Sequence, residues 1–188
     1  RSLDRVLVQL PNWNEFVFAY FALQKIGAVP VLLIDRYRQF EINHLINMTG
    51  ATSWIVATKY KKTDYIPIIH DVLQEQPAMK HVITVRGEVE EGDFSSLEGL
   101  IEGTVLTEGN RARLVERRPD PDQVAHMGPT GGTTGAPKIV PRTHNSLMTG
   151  IEYCAKSWEQ SIEDINLLAG PIGHDLSFSK GFMGAVYT

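Results

Sequence analysis

The chain has 188 residues, 43% of them hydrophobic and 21% charged, with a formal net charge of −4. That length and balance suit a folded domain with a sizeable core and offer no general attraction to nucleic acid or an anionic membrane surface. No apolar run approaches the roughly 18 residues of a membrane span, and the single cysteine, Cys154, excludes an internal disulfide, reads as a small apolar packer and fits a reducing cytoplasm.

In chain order, residues 5–10 (RVLVQL) read as a short strand stopped by Pro11-Asn12. Asn12 or Asn14 can cap the helix predicted over 13–26. There Phe16, Tyr20, Phe21, Leu23 and Ile26 recur near helical spacing, and Gly27 ends the run. Residues 29–34 form a continuous apolar run, the pattern of a strand buried on both faces. A helix follows over 39–48 with Ile42, Leu45 and Ile46 on one side, closed by Gly50. Then come a strand at 53–57, a helix at 65–76 with Ile66, Ile69, Val72 and Leu73 inward, and a strand at 81–85. Strands alternating with helices of this length predict βαβ units and an α/β fold with a mainly parallel sheet.

Residues 86–122 break the rhythm. Rich in Glu, Gly, Arg and Asp, they read as surface loop with a short helix around 94–101. Arg111, Arg113, Arg117 and Arg118, interrupted by Glu116 and followed by Asp120 and Asp122, read as a solvated face. After 124–128 and a glycine-rich stretch, 138–141 reads as a strand, and Thr143 can cap a helix reaching Trp158. A strand at 165–169 and a helix at 176–187 complete the prediction. Neither internal repeats nor an interdomain linker is evident.

Residues 130–138, Thr-Gly-Gly-Thr-Thr-Gly-Ala-Pro-Lys, carry the chemistry. Glycines let backbone N–H groups approach an anion closely, threonine hydroxyls add donors, and lysine adds a mobile cation. The pattern suits phosphate, yet Pro137 before Lys138 and Ile139 after it differ from a nucleotide P-loop. The competing reading is a flexible Gly/Thr linker, which the flanking apolar residues Ile139 and Val140 disfavour.

Extended to 128–145 (GPTGGTTGAPKIVPRTHN), the stretch resembles the signature loop of the adenylate-forming, AMP-binding enzymes. The Pro-Arg-Thr-His of 141–144 is similar to aryl-acid AMP ligases such as 2,3-dihydroxybenzoate-AMP ligase, which serve siderophore and nonribosomal peptide synthesis. The resemblance implies ATP-dependent activation of an aromatic carboxylic acid to an acyl-adenylate, with release of pyrophosphate and with Mg2+ accompanying ATP. It implies that Thr130, Gly131, Gly132, Thr133, Thr134, Gly135 and Lys138 embrace the ATP phosphates. Lys138 either neutralises pyrophosphate or pins the loop through a salt bridge. It also implies that the chain is a fragment of the N-terminal AMP-binding domain. The family's magnesium-holding glutamate, ribose-binding aspartate and C-terminal lid lysine are absent from it, and the fragment alone is expected to be inactive.

A second constellation, Gly173-His174-Asp175-Leu176-Ser177-Phe178-Ser179-Lys180, follows the predicted strand end at Gly170-Pro171, where ligands sit in open α/β sheets. By resemblance His174 lies near the adenylate phosphate, and His174, Asp175 and Ser179 contact the acid. Aryl-acid ligases carry His-Asn where this chain has His174-Asp175. An ionised aspartate only accepts hydrogen bonds, so an ortho-amino or cationic acid is the expected preference, unless Lys180 neutralises Asp175 internally. The alternative is a capping turn with Asp175 as N-cap of the last helix.

The remaining histidines read as structural: His44 and His70 in helices, His81 opening a strand, His126 before the loop and His144 supporting the loop by a hydrogen bond. No His/Cys spacing suggests zinc, and no Gly-x-Ser-x-Gly elbow occurs. The expected partners are a small aromatic acid and, as acceptor, a carrier-protein phosphopantetheine or coenzyme A. An amino-acid adenylation domain, an acyl-CoA synthetase and a non-catalytic nucleotide-binding module are the alternatives.

Overall fold

The computed structural model describes residues 2–87, 94–130 and 137–188. The elements run β1 (Arg5–Gln9), α1 (Asn14–Lys25), β2 (Val29–Leu32), α2 (Gln39–Thr49) and β3 (Ser53–Ala57), then a small hairpin of β4 (Lys59–Tyr60) and β5 (Thr63–Asp64). They continue through α3 (Ile66–Glu75), β6 (His81–Val85), β7 (Phe94–Ser96), α4 (Leu97–Glu102), α5 (Glu108–Glu116), β8 (Val124–Pro129), β9 (Ile139–Thr143) and α6 (His144–Ser157). A π-helical turn, Ser177–Phe182, leads directly into α7 (Met183–Tyr187).

The main sheet has the strand order β7-β6-β3-β1-β2-β8-β9. All neighbours are parallel except β8 and β9, which pair antiparallel across the glycine-rich loop. The mainly parallel α/β prediction therefore holds. Parallel neighbours need crossovers, and α1, α2 and α3 supply them. From β1 the chain steps one way to β2 and then back across to β3, so right-handed crossovers put α1 and α2 on opposite faces. Covered on both sides, the central strands bury almost every residue: Val6, Leu7 and Val8 of β1 and Val29 and Val31 of β2 are at most 6% exposed. Each such side chain contributes about 1.5–3 kcal/mol of hydrophobic free energy.

Gly27 and Gly50 close α1 and α2 with φ of +72° and +64°, the left-handed region that a Cβ disfavours. Asn12 and Asn14 do not cap α1: the N-cap residue is Trp13, with no side-chain cap bond. The short helix expected around 94–101 is present as α4, and the segment adds β7 and α5 to the expected surface loop. Ser96 accepts from the Gly99 N–H to cap α4, and Thr107 accepts from Asn110 to cap α5. Thr143 caps α6 as expected, accepting from Ser146. The four arginines of 111–118 are exposed, as a solvated face requires.

The predicted strand at 165–169 does not form. Among the described residues no strand pairs with it, and Ile165 and Leu167 are 99% and 92% exposed. A side chain holds its far end instead of a ladder. Asn12 Nδ2 donates to the carbonyls of Leu168 (3.2 Å) and Gly170 (2.9 Å), and Asn12 Oδ1 accepts from the Ile172 N–H (2.8 Å).

Candidate active site

The site lies along the carboxyl edge of the parallel strands, where βα turns leave a crevice. Gly131, Gly132, Thr133, Thr134 and Gly135 lie outside the described residues. At the loop's base the Thr130 N–H donates to the Lys138 carbonyl at 2.8 Å, extending the β8–β9 ladder by one bond. His44 of α2 donates through Nε2 to the Pro137 carbonyl at 3.0 Å; a carbonyl only accepts, so that nitrogen carries a proton. Lys138 is exposed, and among the described residues its ammonium makes no ion pair.

The second wall begins with Asn12, which ties residues 168–172 to the end of β1. Gly173 then packs its backbone against the Leu33 carbonyl just beyond β2, so closely that a Cβ there would overlap it. The chain turns into its last helix at His174. The His174 carbonyl accepts from the Phe178 N–H (2.9 Å), and its Nδ1 accepts from the Leu176 N–H (3.3 Å). His174, not Asp175, is thus the capping residue. With Nδ1 accepting, the neutral ring carries its proton on Nε2.

Asp175 is free to do something else, and Arg142 of β9 uses it. Arg142 Nε and Nη2 fork onto Asp175 Oδ1 (3.1 Å) and Oδ2 (2.8 Å). Such a bidentate pair is stronger and more directional than a single surface contact. Ser179, one turn on, donates its hydroxyl to Oδ1 at 3.1 Å. Lys180 does not neutralise Asp175: its ammonium lies 5.9 Å from the centre of the Trp158 ring, within cation–π range. The carboxylate that was expected to await an amine is already matched.

Ser177–Phe182 winds as a π-helix, a form that recurs at functional sites. It buries Phe178 completely among Phe16, Tyr20, His126 and Phe182, while Ser179 faces Asp175. His126, register partner of Arg142 across β8–β9, is 1% exposed and shares a 3.3 Å hydrogen bond with the Tyr20 hydroxyl. Burial, above all, lowers its pKa to about 4. The Asp175 charge opposes that shift, and Arg142 and His144 add to it. Burial likewise raises the Tyr20 hydroxyl.

Gly128, Pro129, Thr130, Val140, Arg142, His174 and Asp175 together line a cleft of about 250 Å³. The loop's first threonine and the His174-Asp175 pair, 44 positions apart, therefore open on one space, with Ser179 bonded from behind. His144 faces elsewhere. Its backbone N–H donates to the Gln123 carbonyl (3.2 Å), and its ring borders a larger apolar cavity between α1, α5 and α6 rather than bonding to the described loop ends. Sequence reasoning missed Arg142, Asn12 and His44. Arg142 stands in the Pro-Arg-Thr-His stretch, 33 positions before Asp175, and as a cation in the signature motif it is a candidate partner for that carboxylate alongside Lys180. Asn12 and His44 contact residues 156 and 93 positions away, with no local signal.

Among the described residues, no three His, Cys, Asp or Glu side chains converge as a metal site, so none is assigned to magnesium. No helix of the described residues is long and apolar enough to cross a membrane.

The model of the AMP-binding enzyme family matches residues 1–188. The chain is 33% identical to salicyl-AMP ligase / salicyl-S-ArCP synthetase of Mycobacterium tuberculosis, over 97% of this chain and 31% of that protein. It is also 33% identical to 2,3-dihydroxybenzoate-AMP ligase of Bacillus subtilis, over 100% of this chain and 33% of that protein. The apo structure of Mycobacterium smegmatis MbtA superposes with a TM-score of 0.81 at 30% identity, covering 98% of this chain and 33% of that one. The chain thus spans about a third of the length of these relatives.

Proposed function

Because the chain belongs to the AMP-binding enzyme family, we propose that the whole protein is an ATP-dependent ligase that activates an aromatic carboxylic acid, as its salicylate and 2,3-dihydroxybenzoate relatives are named for doing. The chain contributes the phosphate-handling loop and part of the acid site of the N-terminal AMP-binding domain. The observation that carries this reading is the cleft shared by Thr130, at the mouth of the loop, with Arg142, His174 and Asp175.

In the reaction a carboxylate oxygen of the acid attacks the α-phosphorus of ATP. The bond from that phosphorus to the bridging oxygen breaks, and pyrophosphate leaves with the electron pair. No proton moves, so the protein's task is positioning and charge stabilisation. The Thr130 hydroxyl, the Lys138 ammonium and the N–H groups of Gly131, Gly132 and Gly135, with Thr133 and Thr134, embrace the β- and γ-phosphates. His174 Nε2–H donates to the adenylate phosphate. Mg2+ bound with ATP would shield its phosphate charge, and no described residue is assigned to hold it. The thiol acceptor is coenzyme A or a carrier-protein phosphopantetheine; the names of relatives carry CoA and S-ArCP. The chain alone, lacking two thirds of its relatives' length, does not turn over.

Acid-dependent exchange of labelled pyrophosphate into ATP by the whole protein, run over aromatic, aliphatic and amino acids, tests the proposal. Exchange with aromatic acids is expected. Exchange only with an aliphatic or amino acid would transfer the site to an acyl-CoA synthetase or an amino-acid adenylation domain, and none at all to a non-catalytic nucleotide-binding module.

A further inference from the structure

Within the reading that an aromatic acid enters the cleft, the side chain that selects it is not Asp175. Three of the roughly four lone-pair sites of Asp175 are filled: Oδ1 accepts from Arg142 Nε and Ser179 Oγ, each at 3.1 Å, and Oδ2 accepts from Arg142 Nη2 at 2.8 Å. The guanidinium cancels its charge. Arg142 commits two of its five N–H donors to this fork; among the described residues the other three have no acceptor. Both residues line the cleft at 38% and 39% side-chain exposure. The other polar groups there are His174, whose available nitrogen is a donor because Nδ1 already accepts, and the hydroxyl of Thr130. Among the described side chains of the wall, free donors (three on Arg142, one each on His174 and Thr130) therefore outnumber free acceptors (one Asp175 Oδ2 lone pair and the Thr130 oxygen).

We propose that Arg142 is the specificity-determining residue of this cleft. Held flat by Asp175, it turns a position occupied by a carboxylate into a hydrogen-bond-donating surface. That surface takes an aromatic acid whose ring substituent can accept, a hydroxyl or phenolate oxygen beside the carboxyl group. A ring amine turns N–H groups toward N–H groups and an ammonium meets the guanidinium charge, so both are rejected. Rejection through unmatched polar groups is the strong kind of discrimination, because a desolvated donor is left without a partner.

The test is pyrophosphate exchange by the whole protein with 2-hydroxybenzoate, 2-aminobenzoate and unsubstituted benzoate, reported as kcat/KM normalised to benzoate. The parent protein should favour the hydroxy acid over the amino acid at least tenfold. Arg142→Met uncovers Asp175 and should move that ratio at least tenfold toward 2-aminobenzoate. Asp175→Asn keeps the guanidinium but offers it one acceptor oxygen instead of two, and should weaken the preference for the hydroxy acid without reversing it. If Arg142→Met fails to fold, Arg142→Lys keeps a cation that cannot fork, and should move the ratio the same way by a smaller factor. A ratio within threefold of the parent in the folded Arg142 variant, or a parent that prefers 2-aminobenzoate, overturns the assignment while leaving aromatic-acid activation standing. Exchange with none of the three acids overturns that reading, and this one with it.

Discussion

Replacing Asn12 by alanine removes three hydrogen bonds between the end of β1 and residues 168–172: two to carbonyls at 3.2 and 2.9 Å and one from the Ile172 N–H at 2.8 Å. A typical protein hydrogen bond contributes about 0.5–1.5 kcal/mol net, so simple addition sets a ceiling of about 4.5 kcal/mol. The three losses are unequal. Asn12 is exposed, and water can reach the Leu168 and Gly170 carbonyls once the amide is gone. Ile172 is 4% exposed, and a buried donor left without an acceptor costs about 1–3 kcal/mol. The expected total is ~2 kcal/mol, or roughly thirtyfold in a local opening equilibrium at 1.4 kcal/mol per decade. Amide hydrogen exchange reads it directly. In Asn12→Ala, Ile172 should exchange roughly thirtyfold faster, on the same arithmetic, while Leu7 in the core strand keeps its rate. Asn12→Asp retains the acceptor facing Ile172 and should leave that amide close to its parent rate, though it loses both donor contacts. Protection of Ile172 within twofold of the parent in the alanine variant would show that Asn12 does not hold this segment, and the account of how His174 is placed would fall with it.

Three further outcomes are expected. His126, with a folded pKa of about 4 against an ordinary 6.5, is neutral in the fold while the unfolded chain takes up the proton below pH 6.5. Its contribution is therefore complete above about pH 6.5 and is lost as pH falls toward 4, at most about 3 kcal/mol. Urea midpoints for His126→Gln should fall less between pH 7 and 4.5 than the parent's, and parallel curves would refute the assignment. Lys138→Ala should slow pyrophosphate exchange by about 10²-fold or more, the usual loss for one preorganised charge stabiliser, with an unchanged thermal transition; an unchanged rate would return Lys138 to a role in the fold. Gly173→Ala forces a Cβ against the Leu33 carbonyl and should cost about 1–3 kcal/mol together with most of the exchange activity. If its melting temperature and activity match the parent's, the close approach at Leu33 is not required.

The sheet was legible because its signals are local. Residues 29–34 read as a buried run and 53–57 as a strand, and the helices between strands announce themselves by spacing and by a closing Gly27 or Gly50. Hydrophobic burial depends on the run itself, so such elements survive without knowledge of their neighbours. Residues 165–169 look the same on paper, yet a strand exists only where another strand offers its ladder, and none of the described residues does so.

The chemistry divides in the same way. Residue types alone marked the 130–138 stretch for phosphate, since glycine, threonine and lysine bring their donors and charges wherever they are placed, whereas His174-Asp175 reads as a site only through its resemblance to the aryl-acid ligases and its place after a predicted strand end. Which groups remain available is a property of distance. In the sequence Asp175 is an acceptor with Lys180 as its one candidate partner, but the group forked onto it is Arg142, 33 positions earlier. Asn12 was a helix cap until the far end of the chain was found bonded to it. A carboxylate's selectivity lies in its spare lone pairs, and only the tertiary structure decides whether any are spare, because the partners that fill them are brought together by the sheet and not by the order of residues along the chain.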